Sequence, residues 1–324
     1  MITLDDVRAA AARISPFVRR TPSMAAEPAQ HPLAAGARVS LKLESLQVSG
    51  SFKARGAFSR LTLLGDEARA KGLVTASGGN HGIAVAYAAR AAGLAATVVV
   101  PTAVHPDKAA RIRSYGATLI VEGAVWDEAN ARARAIAEET GAAYVHPFAD
   151  PAVAAGQGTI ALEVLDDDPG IDTLLVAIGG GGLISGVATA AAALKPGIRI
   201  VGVEPAGAPT LHDSLAAGEV VTLAAVTTRV PTLAARRTET ATFDLIRRHV
   251  REVVLVEDED LARAARHLWV EYGIAADLSG AASAAALLAG AYRPDPGERV
   301  CAIVCGAGAD ALATCHRGVP DIVL

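Results

Sequence analysis

A single lysine stands among small residues in the stretch from Ser49 to Ala57, which reads SGSFKARGA. A lysine amine becomes nucleophilic when burial or a nearby cation lowers its pKa and frees the lone pair. The free amine can form a Schiff base with an aldehyde cofactor or a carbonyl substrate. Small neighbours would let a flat ring approach, and Phe52 could pack on the ring face. Lys53 is therefore the candidate catalytic residue, although the stretch also fits an amphipathic helix start with Ser51 as N-cap.

Two glycine-rich turns each follow an apolar run and precede a helical pattern. They are Ser77-Gly78-Gly79-Asn80-His81-Gly82 and Gly179-Gly180-Gly181-Gly182-Leu183. Glycine lets the backbone come close to a ligand, and free N–H groups at a helix start favour an anion. The sequence thus predicts two anion sites, one suited to phosphate and one to carboxylate. Tight packing is the alternative for either turn alone.

A nucleotide site is the competing interpretation of these turns. The Walker A pattern is absent, and a Rossmann fingerprint needs glycines at i, i+2 and i+5. After Gly179 and Gly181 the third position is Ile184. Glu204 nevertheless ends the next apolar run, about where a ribose-binding acid would lie. A dinucleotide-binding protein stays a remote alternative that leaves Lys53 unexplained.

The composition narrows the class of protein. The 324 residues are 52% hydrophobic but only 4% aromatic, which favours small-residue helices packed on a buried parallel sheet. The net charge is −4 without a long block of one sign, so we expect no nucleic-acid partner. Acids within Met1–Asp6 argue against a signal peptide, and glycines within Thr173–Leu194 argue against a membrane span. A cytoplasmic location is expected.

The three cysteines, Cys301, Cys305 and Cys315, form no C-x-x-C pair, so neither a disulfide nor a zinc site is favoured. Cys305 opens a third glycine-rich turn that ends at Gly308. A buried packing thiol is the commoner role for such a cysteine.

Short apolar runs alternate with helical stretches along most of the chain. This alternation predicts an α/β protein with mainly parallel strands in two sheets, joined near Asp150-Pro151. An N-terminal helix begins behind Thr3, and a further strand over Val39–Leu43 could join either sheet. A helix is predicted from about Ser51 to Leu64. The other predicted strands are Gly72–Thr75, Ala95–Val100, Thr118–Val121, Ala143–His146, Thr173–Ile178, Ile198–Val203, Glu252–Val256 and Arg299–Val304.

Taken together and in order, the lysine motif and both turns resemble the fold-type II pyridoxal-phosphate enzymes, closest to the serine/threonine dehydratase and serine racemase group. His146-Pro147-Phe148, Gly156–Glu163, Thr21-Pro22 and Val203-Glu204-Pro205 are similar to that group too. The resemblance covers nearly the whole chain. It implies a two-domain, tryptophan synthase beta-like α/β fold with three-layer α/β/α domains. The larger, cofactor-binding domain would span 1–66 and 150–324, and the smaller domain 67–149.

The resemblance also implies residue roles. Lys53 would bind pyridoxal phosphate and then remove the substrate Cα proton, Phe52 would pack on the pyridine ring, and Asn80 would bond the 3-hydroxyl. Cys305 would face the ring nitrogen. The phosphate would be held by Gly179, Gly180, Gly181, Gly182 and Leu183. The substrate carboxylate would be held by Ser77, Gly78, Gly79, Asn80 and His81.

The type of residue at 305 bears on the reaction. A neutral thiol does not keep a proton on the pyridine nitrogen as a carboxylate would, so the ring is a weaker electron sink. A long-lived carbanion is then disfavoured, and loss of a β-hydroxyl becomes easier than transamination. Two further positions favour elimination over racemisation. By this resemblance, Gly78 occupies the position at which serine racemases carry a second serine. Phe148 occupies the position at which they carry an asparagine.

The chain departs from the group at several positions. Thr232–Arg237 replaces a common Ala-Asp-Gly stretch near the site. Asp277-Leu278-Ser279-Gly280 replaces a Glu-Pro pattern, and Gly308 replaces a common asparagine. Some relatives bind a cation through Glu204, the carbonyl of Ala208 and an acid two residues later. That last position is Thr210, so the implied metal site is weakened, and a divalent or monovalent cation stays optional.

The reaction expected from the resemblance is β-elimination of water from L-threonine or L-serine, giving a 2-oxo acid and ammonia. Serine racemase, or dehydratase for another β-hydroxy amino acid such as 3-hydroxyaspartate, is the nearest alternative. A cofactor-binding paralogue without catalysis is a third. Expected partners are a small hydroxy amino acid and further copies of the chain, as a homodimer or homotetramer. The chain stops at Leu324, and we expect no C-terminal regulatory domain.

Overall fold

Two sheets of mainly parallel strands form the framework, which confirms the predicted α/β class. The computed structural model describes residues 2–27 and 29–310, so Cys315 and Leu324 lie outside the described residues. The strands are β1 (Ser23–Ala25), β2 (Arg38–Lys42), β3 (Leu73–Ala76), β4 (Ala96–Val100), β5 (Thr118–Val121), β6 (Ala143–Tyr144), β7 (Thr173–Ala177), β8 (Arg199–Pro205), β9 (Glu252–Val256) and β10 (Arg299–Ile303).

Helices connect nearly all of these strands, as parallel pairing requires. In the described part of the chain, no helix is long and apolar enough to cross a membrane. The helices are α1 (Leu4–Ile14), α2 (Lys53–Leu61), α3 (Asp66–Lys71), α4 (Asn80–Ala91), α5 (Pro106–Ser114), α6 (Trp126–Thr140), α7 (Pro151–Asp167), α8 (Gly182–Leu194), α9 (Thr210–Ala217), α10 (Thr240–His249), α11 (Asp258–Tyr272) and α12 (Ala282–Leu288).

The larger sheet has the strand order β1-β2-β10-β7-β8-β9, and the smaller one β5-β4-β3-β6. Strand β1, which the sequence pattern missed, pairs antiparallel with β2; the other neighbours are parallel. Strand β2 could have joined either sheet and lies in the larger one. The smaller sheet falls within residues 67–149, and the exact domain boundaries stay a prediction.

Each face of the smaller sheet is buried by helices. Leu73 of β3 belongs to a cluster with the apolar side chains of α2 and α4, whereas the next residue, Val74, packs with Ala133 and other residues of α6. This alternation follows from the two-residue period of a strand. Because Phe58 lies in the cluster with Leu73, helix α2 packs on the smaller sheet although its strand of origin, β2, is in the larger one.

Local capping explains where two helices begin. Helix α1 starts behind Thr3, as predicted, with a capping box between Thr3 and Asp6. Helix α2 starts two residues later than predicted: its N-cap is Phe52, not Ser51, and it ends at Leu61. The reason is tertiary, because Ser51 is extended and forms a bridge to Gly306, beyond the end of β10.

A buried ionic cluster fixes helix α2 in place. Arg55 makes a bidentate contact with the Glu44 carboxylate, with N···O distances of 2.8 and 2.7 Å. It also donates to Glu163 of α7 at 2.6 Å. Lys42 of β2 donates to Glu163 at 2.7 Å. Burial opposes charge on Glu44, but Arg55 outweighs it and holds the pKa of Glu44 below its usual value. Two cations and two carboxylates thus join β2, α2 and α7.

Candidate active site

Lys53 lies where strands β2 and β10 end, at the carboxyl edge of the larger sheet, which is the usual place for a ligand in such sheets. The residues before Lys53 are hydrogen-bonded to the segment that follows β10. The Phe52 amide donates to the Cys305 carbonyl at 3.1 Å, and the Ala307 amide donates to the Gly50 carbonyl at 2.8 Å. Ser49 and Gly50 adopt positive φ and make the sharp turn that leads into α2. The sheet edge therefore sets the position of the lysine.

The surroundings of the Lys53 amine lower its pKa and so favour the nucleophilic, uncharged form. It donates to the Pro147 carbonyl at 2.8 Å and lies 5.0 Å from the centre of the Phe52 ring. Loss of solvent lowers the pKa of Lys53 to about 8, against a smaller opposing effect of Cys305. Because a neutral carbonyl is its hydrogen-bond partner, the amine has no carboxylate to keep it charged. This setting suits Schiff-base chemistry near neutral pH.

Cys305 is buried beside this lysine. Its thiol donates to the Ser279 carbonyl at 3.3 Å. Burial first, and then the charge of Asp277, raise the pKa of Cys305 far above its usual range. The residue therefore presents a protonated, uncharged thiol, as the sequence interpretation requires.

The glycine turn from Gly179 to Gly182 comes between β7 and α8. Gly181 has φ +91°, and no side chain caps the start of α8. Glycine is required sterically as well, since a Cβ on Gly180 would lie 2.3 Å from the Phe148 ring and one on Gly182 2.7 Å from the Phe148 backbone. Leu183 is buried in the first turn. The uncapped N–H groups form a site suited to phosphate.

The asparagine turn forms the start of α4 in the same way. The Gly79 amide donates to the Ser77 hydroxyl at 3.2 Å, and the first turn of α4 has no side-chain cap. Asn80 turns its amide nitrogen to Asp277, 2.7 Å away. His81 is buried, and burial, followed by the charge of Lys53, lowers its pKa to about 3. The His81 side chain is thus neutral, and the residue contributes its backbone amide, not a positive charge, to this turn.

Thr232 connects the two turns. A Cβ on Gly79 would lie 3.1 Å from the Thr232 methyl carbon, and one on Gly179 would lie 2.8 Å from the Thr232 carbonyl oxygen. Thr232, the first residue of the segment in which the chain departs from the common pattern, therefore lies against both predicted anion sites. The fold brings Lys53, Cys305 and both turns to one place.

Comparisons with known proteins agree with this geometry. The family model described as pyridoxal-phosphate dependent enzyme matches residues 14–306. The chain belongs to this family. It is 37% identical over 288 residues to L-threonine ammonia-lyase from Thermotoga maritima, which covers 89% of this chain and 71% of that protein. It is 38% identical over 312 residues to phenylserine dehydratase from Ralstonia pickettii, covering 95% of each. The structure of maize serine racemase superposes with a TM-score of 0.90 at 36% identity, covering 97% and 96% of the two chains.

Pyridoxal phosphate is thus the cofactor of this pyridoxal-phosphate dependent enzyme, and the residues present fit it. Lys53 offers an amine of lowered pKa, and the turn from Gly179 to Gly182 is an uncapped cradle without side chains. Asn80 and Cys305 border the same space around Gly306: a Cβ on Gly306 would lie 2.9 Å from the Asn80 amide nitrogen. The individual contacts to the cofactor stay predictions.

The implied cation site lies around Glu204, at the end of β8. The two Glu204 carboxylate oxygens accept from the amides of Leu211 and His212 at 2.8 and 2.9 Å, at the start of α9. The Ala208 carbonyl accepts from the Thr210 amide at 2.9 Å. Burial raises the pKa of Glu204 to about 8, although the two hydrogen bonds from Leu211 and His212 oppose this rise. Within residues 2–27 and 29–310, no three His, Cys, Asp or Glu side chains group as a metal site.

Sequence reasoning missed three residues that shape the site of this enzyme. The backbone carbonyl of Pro147 accepts a hydrogen bond from Lys53. Every residue has such a carbonyl, so the residue type gives no signal for this contact. Phe148, noted only as a position that favours elimination over racemisation, packs against Gly180 and Gly182. Asp277, noted only as a departure, binds Asn80. An available signal for Asp277 was its position before Ser279-Gly280, since Asp often bonds the backbone two or three residues later.

Proposed function

We propose that this enzyme eliminates water from L-threonine or L-serine and releases ammonia with 2-oxobutyrate or pyruvate. The observation that carries the proposal is the Lys53 amine, which has a pKa lowered to about 8 and lies beside an uncharged thiol. A base with a pKa near the working pH is suited to proton transfer. The relatedness to L-threonine ammonia-lyase from Thermotoga maritima supports the same class of substrate.

Each part of the site has a task in this reaction. The amides at the start of α4 bind the substrate carboxylate, and those at the start of α8 hold the cofactor phosphate. Lys53 takes the proton from the substrate Cα through its Nζ atom. When bound, pyridoxal phosphate withdraws electrons from that carbon and so weakens its C–H bond. Phe52 and Phe148 line the site with apolar rings and exclude water.

Cys305 favours elimination over transamination. Its thiol stays protonated, because burial and the charge of Asp277 both raise its pKa. A carboxylate at this position would hold a proton on a pyridine nitrogen, whereas a neutral thiol does not. Early departure of the β-hydroxyl is then easier than a second proton transfer.

The surroundings of Gly78 argue for elimination rather than racemisation. A racemase needs a proton donor on each face of the substrate Cα. Gly78 has no side chain, and the nearest atoms to its Cβ position belong to Val104 and Pro101, at 3.0 and 3.8 Å. Neither side chain carries an ionisable proton, so this turn provides no second base next to Ser77.

A larger β-hydroxy amino acid is the second candidate substrate. The observation that favours it is the altered segment 232–237, because Thr232 contacts the turn proposed to bind substrate. The relative from Ralstonia pickettii, aligned over 95% of each chain, is named for phenylserine. Substrate side-chain size is therefore the property to test.

The decisive experiment combines an absorbance spectrum of the pure protein with a 2-oxo acid assay. The substrates are L-threonine, L-serine, 3-phenylserine and 3-hydroxyaspartate, and the Lys53→Ala variant is the control. We expect a visible cofactor band and fastest release of 2-oxo acid from threonine or serine. A band without 2-oxo acid from any of the four would refute the proposed reaction while leaving the cofactor assignment intact.

A further inference from the structure

The Asp277 carboxylate lies inside the cofactor region and has no ionic partner among the residues that the structure describes. It is 3% exposed. Its Oδ2 atom accepts from the Asn80 amide nitrogen at 2.7 Å. Its Oδ1 atom accepts from the Ser279 hydroxyl at 2.7 Å and from the Gly280 amide at 2.6 Å. Three neutral donors thus hold this buried carboxyl group in one orientation.

Two residues predicted to border the cofactor depend on this carboxylate. Asn80 contacts it directly, and Cys305 contacts it through Ser279, whose carbonyl accepts from the thiol at 3.3 Å. The backbone fixes the arrangement, because the Asp277 amide donates to the Gly306 carbonyl at 3.1 Å and Ala276 bridges to Ala307. Asp277 therefore connects the start of α4 to the end of β10.

Gly308 is the steric counterpart of Asp277. A Cβ on Gly308 would lie 2.6 Å from the Asp277 Cβ and 3.0 Å from its Cα. Any side chain at 308 would force Asp277 to shift from the position in which it binds Asn80. Two separate departures from the common sequence pattern, Asp277 and Gly308, thus form one contact in the fold.

We propose that Asp277 is a positioning residue that fixes the Asn80 amide and keeps a negative charge beside the Cys305 side of the cofactor site. An ionised carboxylate only accepts hydrogen bonds, so the Asn80 nitrogen must face it and the amide does not flip. The other N–H and the carbonyl oxygen of Asn80 are then held ready for the cofactor. This inference rests on the proposed roles of Asn80 and Cys305, and it deepens the proposed function.

The test measures cofactor binding without substrate, so its outcome is independent of the reaction. Pyridoxal phosphate is titrated into cofactor-free wild type, Asp277→Asn and Asp277→Glu, and the pH midpoint of the bound cofactor's visible band is recorded. We expect Asp277→Asn to weaken binding by about tenfold or more, since a charged hydrogen bond is lost. We expect the midpoint to fall by on the order of one unit, because a nearby negative charge favours protonation. Asp277→Glu should restore much of both.

Glu298→Gln is the matched control. Glu298 is also a buried carboxylate, 5% exposed, and accepts from Tyr292 at 2.6 Å, but it precedes the start of β10 while Cys305 follows its end. It should lower thermal stability without moving the band's pH midpoint. Equal midpoints and dissociation constants for wild type and Asp277→Asn would overturn the proposal, as would a midpoint shift in Glu298→Gln of the same size.

A double-mutant cycle tests whether Asp277 acts through Asn80. In the Asn80→Ala background, Asp277→Asn should weaken cofactor binding by much less than tenfold; a fully additive loss would overturn that part. If Asp277→Asn does not fold, Gly308→Ala replaces it, because its Cβ displaces Asp277 without removing the charge. Gly308→Ala should weaken cofactor binding in the same direction, and a dissociation constant equal to wild type would count against the proposal.

Discussion

The Lys53 amine and the Pro147 carbonyl oxygen lie 2.8 Å apart, so the start of α2 meets the segment that follows β6. This contact joins the lysine to the residue before Phe148, whose ring packs on the glycine turn. The amine is held by an uncharged acceptor at the point where both sheets converge. The Pro147 carbonyl thus fixes the position of the Lys53 amine, while burial lowers its pKa.

Replacing Lys53 should abolish catalysis. We expect Lys53→Ala to lose the visible cofactor band and to reduce 2-oxo acid release by on the order of a thousandfold or more, since the base is lost. Borohydride reduction of wild type should attach the cofactor to the peptide that contains Lys53. Lys108→Ala is the control and should retain both. Attachment at Lys42, whose amine is already bonded to Glu163, would contradict the assignment.

The lowered pKa of Lys53 predicts that alkaline pH stabilises the cofactor-free protein. Burial lowers this pKa to about 8, whereas an unfolded lysine titrates near about 10.4. Between these values the unfolded chain binds more protons, so the free energy of unfolding rises with pH. Relative to Lys53→Met, wild type should gain on the order of 1 kcal/mol from about pH 7.5 to about pH 9.5, less than the full shift because Lys53 is partly exposed.

Urea denaturation of both cofactor-free proteins at the two pH values measures this difference. Comparison with Lys53→Met removes the contributions of all other titrating groups. A stability gap that stays constant with pH would show that Lys53 titrates normally in the folded state.

Substitutions of Cys305 should change the ratio of elimination to transamination more than they change the overall activity. Cys305→Ser keeps a neutral hydroxyl and should retain elimination. Cys305→Asp places a carboxylate at this position and should raise transamination, measured as loss of the visible band during turnover and its recovery on adding a 2-oxo acid. If Cys305→Asp matches wild type in both measurements, Cys305 does not face the ring nitrogen.

Gly78 should separate elimination from racemisation. L-serine should give pyruvate and almost no D-serine in wild type, whereas Gly78→Ser should raise the D-serine fraction by adding a second proton donor. Gly78→Ala is the control, because its Cβ meets Val104 in the same way but carries no hydroxyl. Chiral chromatography measures both products. D-serine formed by wild type as fast as pyruvate would make racemisation the main activity.

Removal of Arg55 should destabilise the fold severely. Arg55→Met leaves the Glu44 and Glu163 carboxylates without their guanidinium, and a broken buried pair costs about 3–5 kcal/mol. The control is Arg20→Met, since Arg20 is 52% exposed where it pairs with Asp166 and should cost at most about 1 kcal/mol. Urea unfolding of both variants compares the two values. Equal losses would mean that the cluster does not fix α2.

The sequence by itself determined the fold class and which single positions are candidates for chemistry. Buried parallel strands need continuous apolar runs, and these are local signals; the predicted Thr118–Val121 and Glu252–Val256 match the observed strands residue for residue. Glycine turns at helix starts are equally local, so the two uncapped helix starts at α4 and α8 could be predicted. Lys53 could be proposed as the catalytic lysine because its neighbours are small.

Tertiary structure decided everything that depends on distant contacts. The start of α2 moved from Ser51 to Lys53 because Ser51 pairs with Gly306. Strand β2 joined the larger sheet because it pairs with β10, more than 250 residues later. The link between Asp277 and Asn80 spans 197 positions. Such contacts depend on how separate elements pack, which no local pattern of residues encodes, and they set the charge and orientation of the groups at the site.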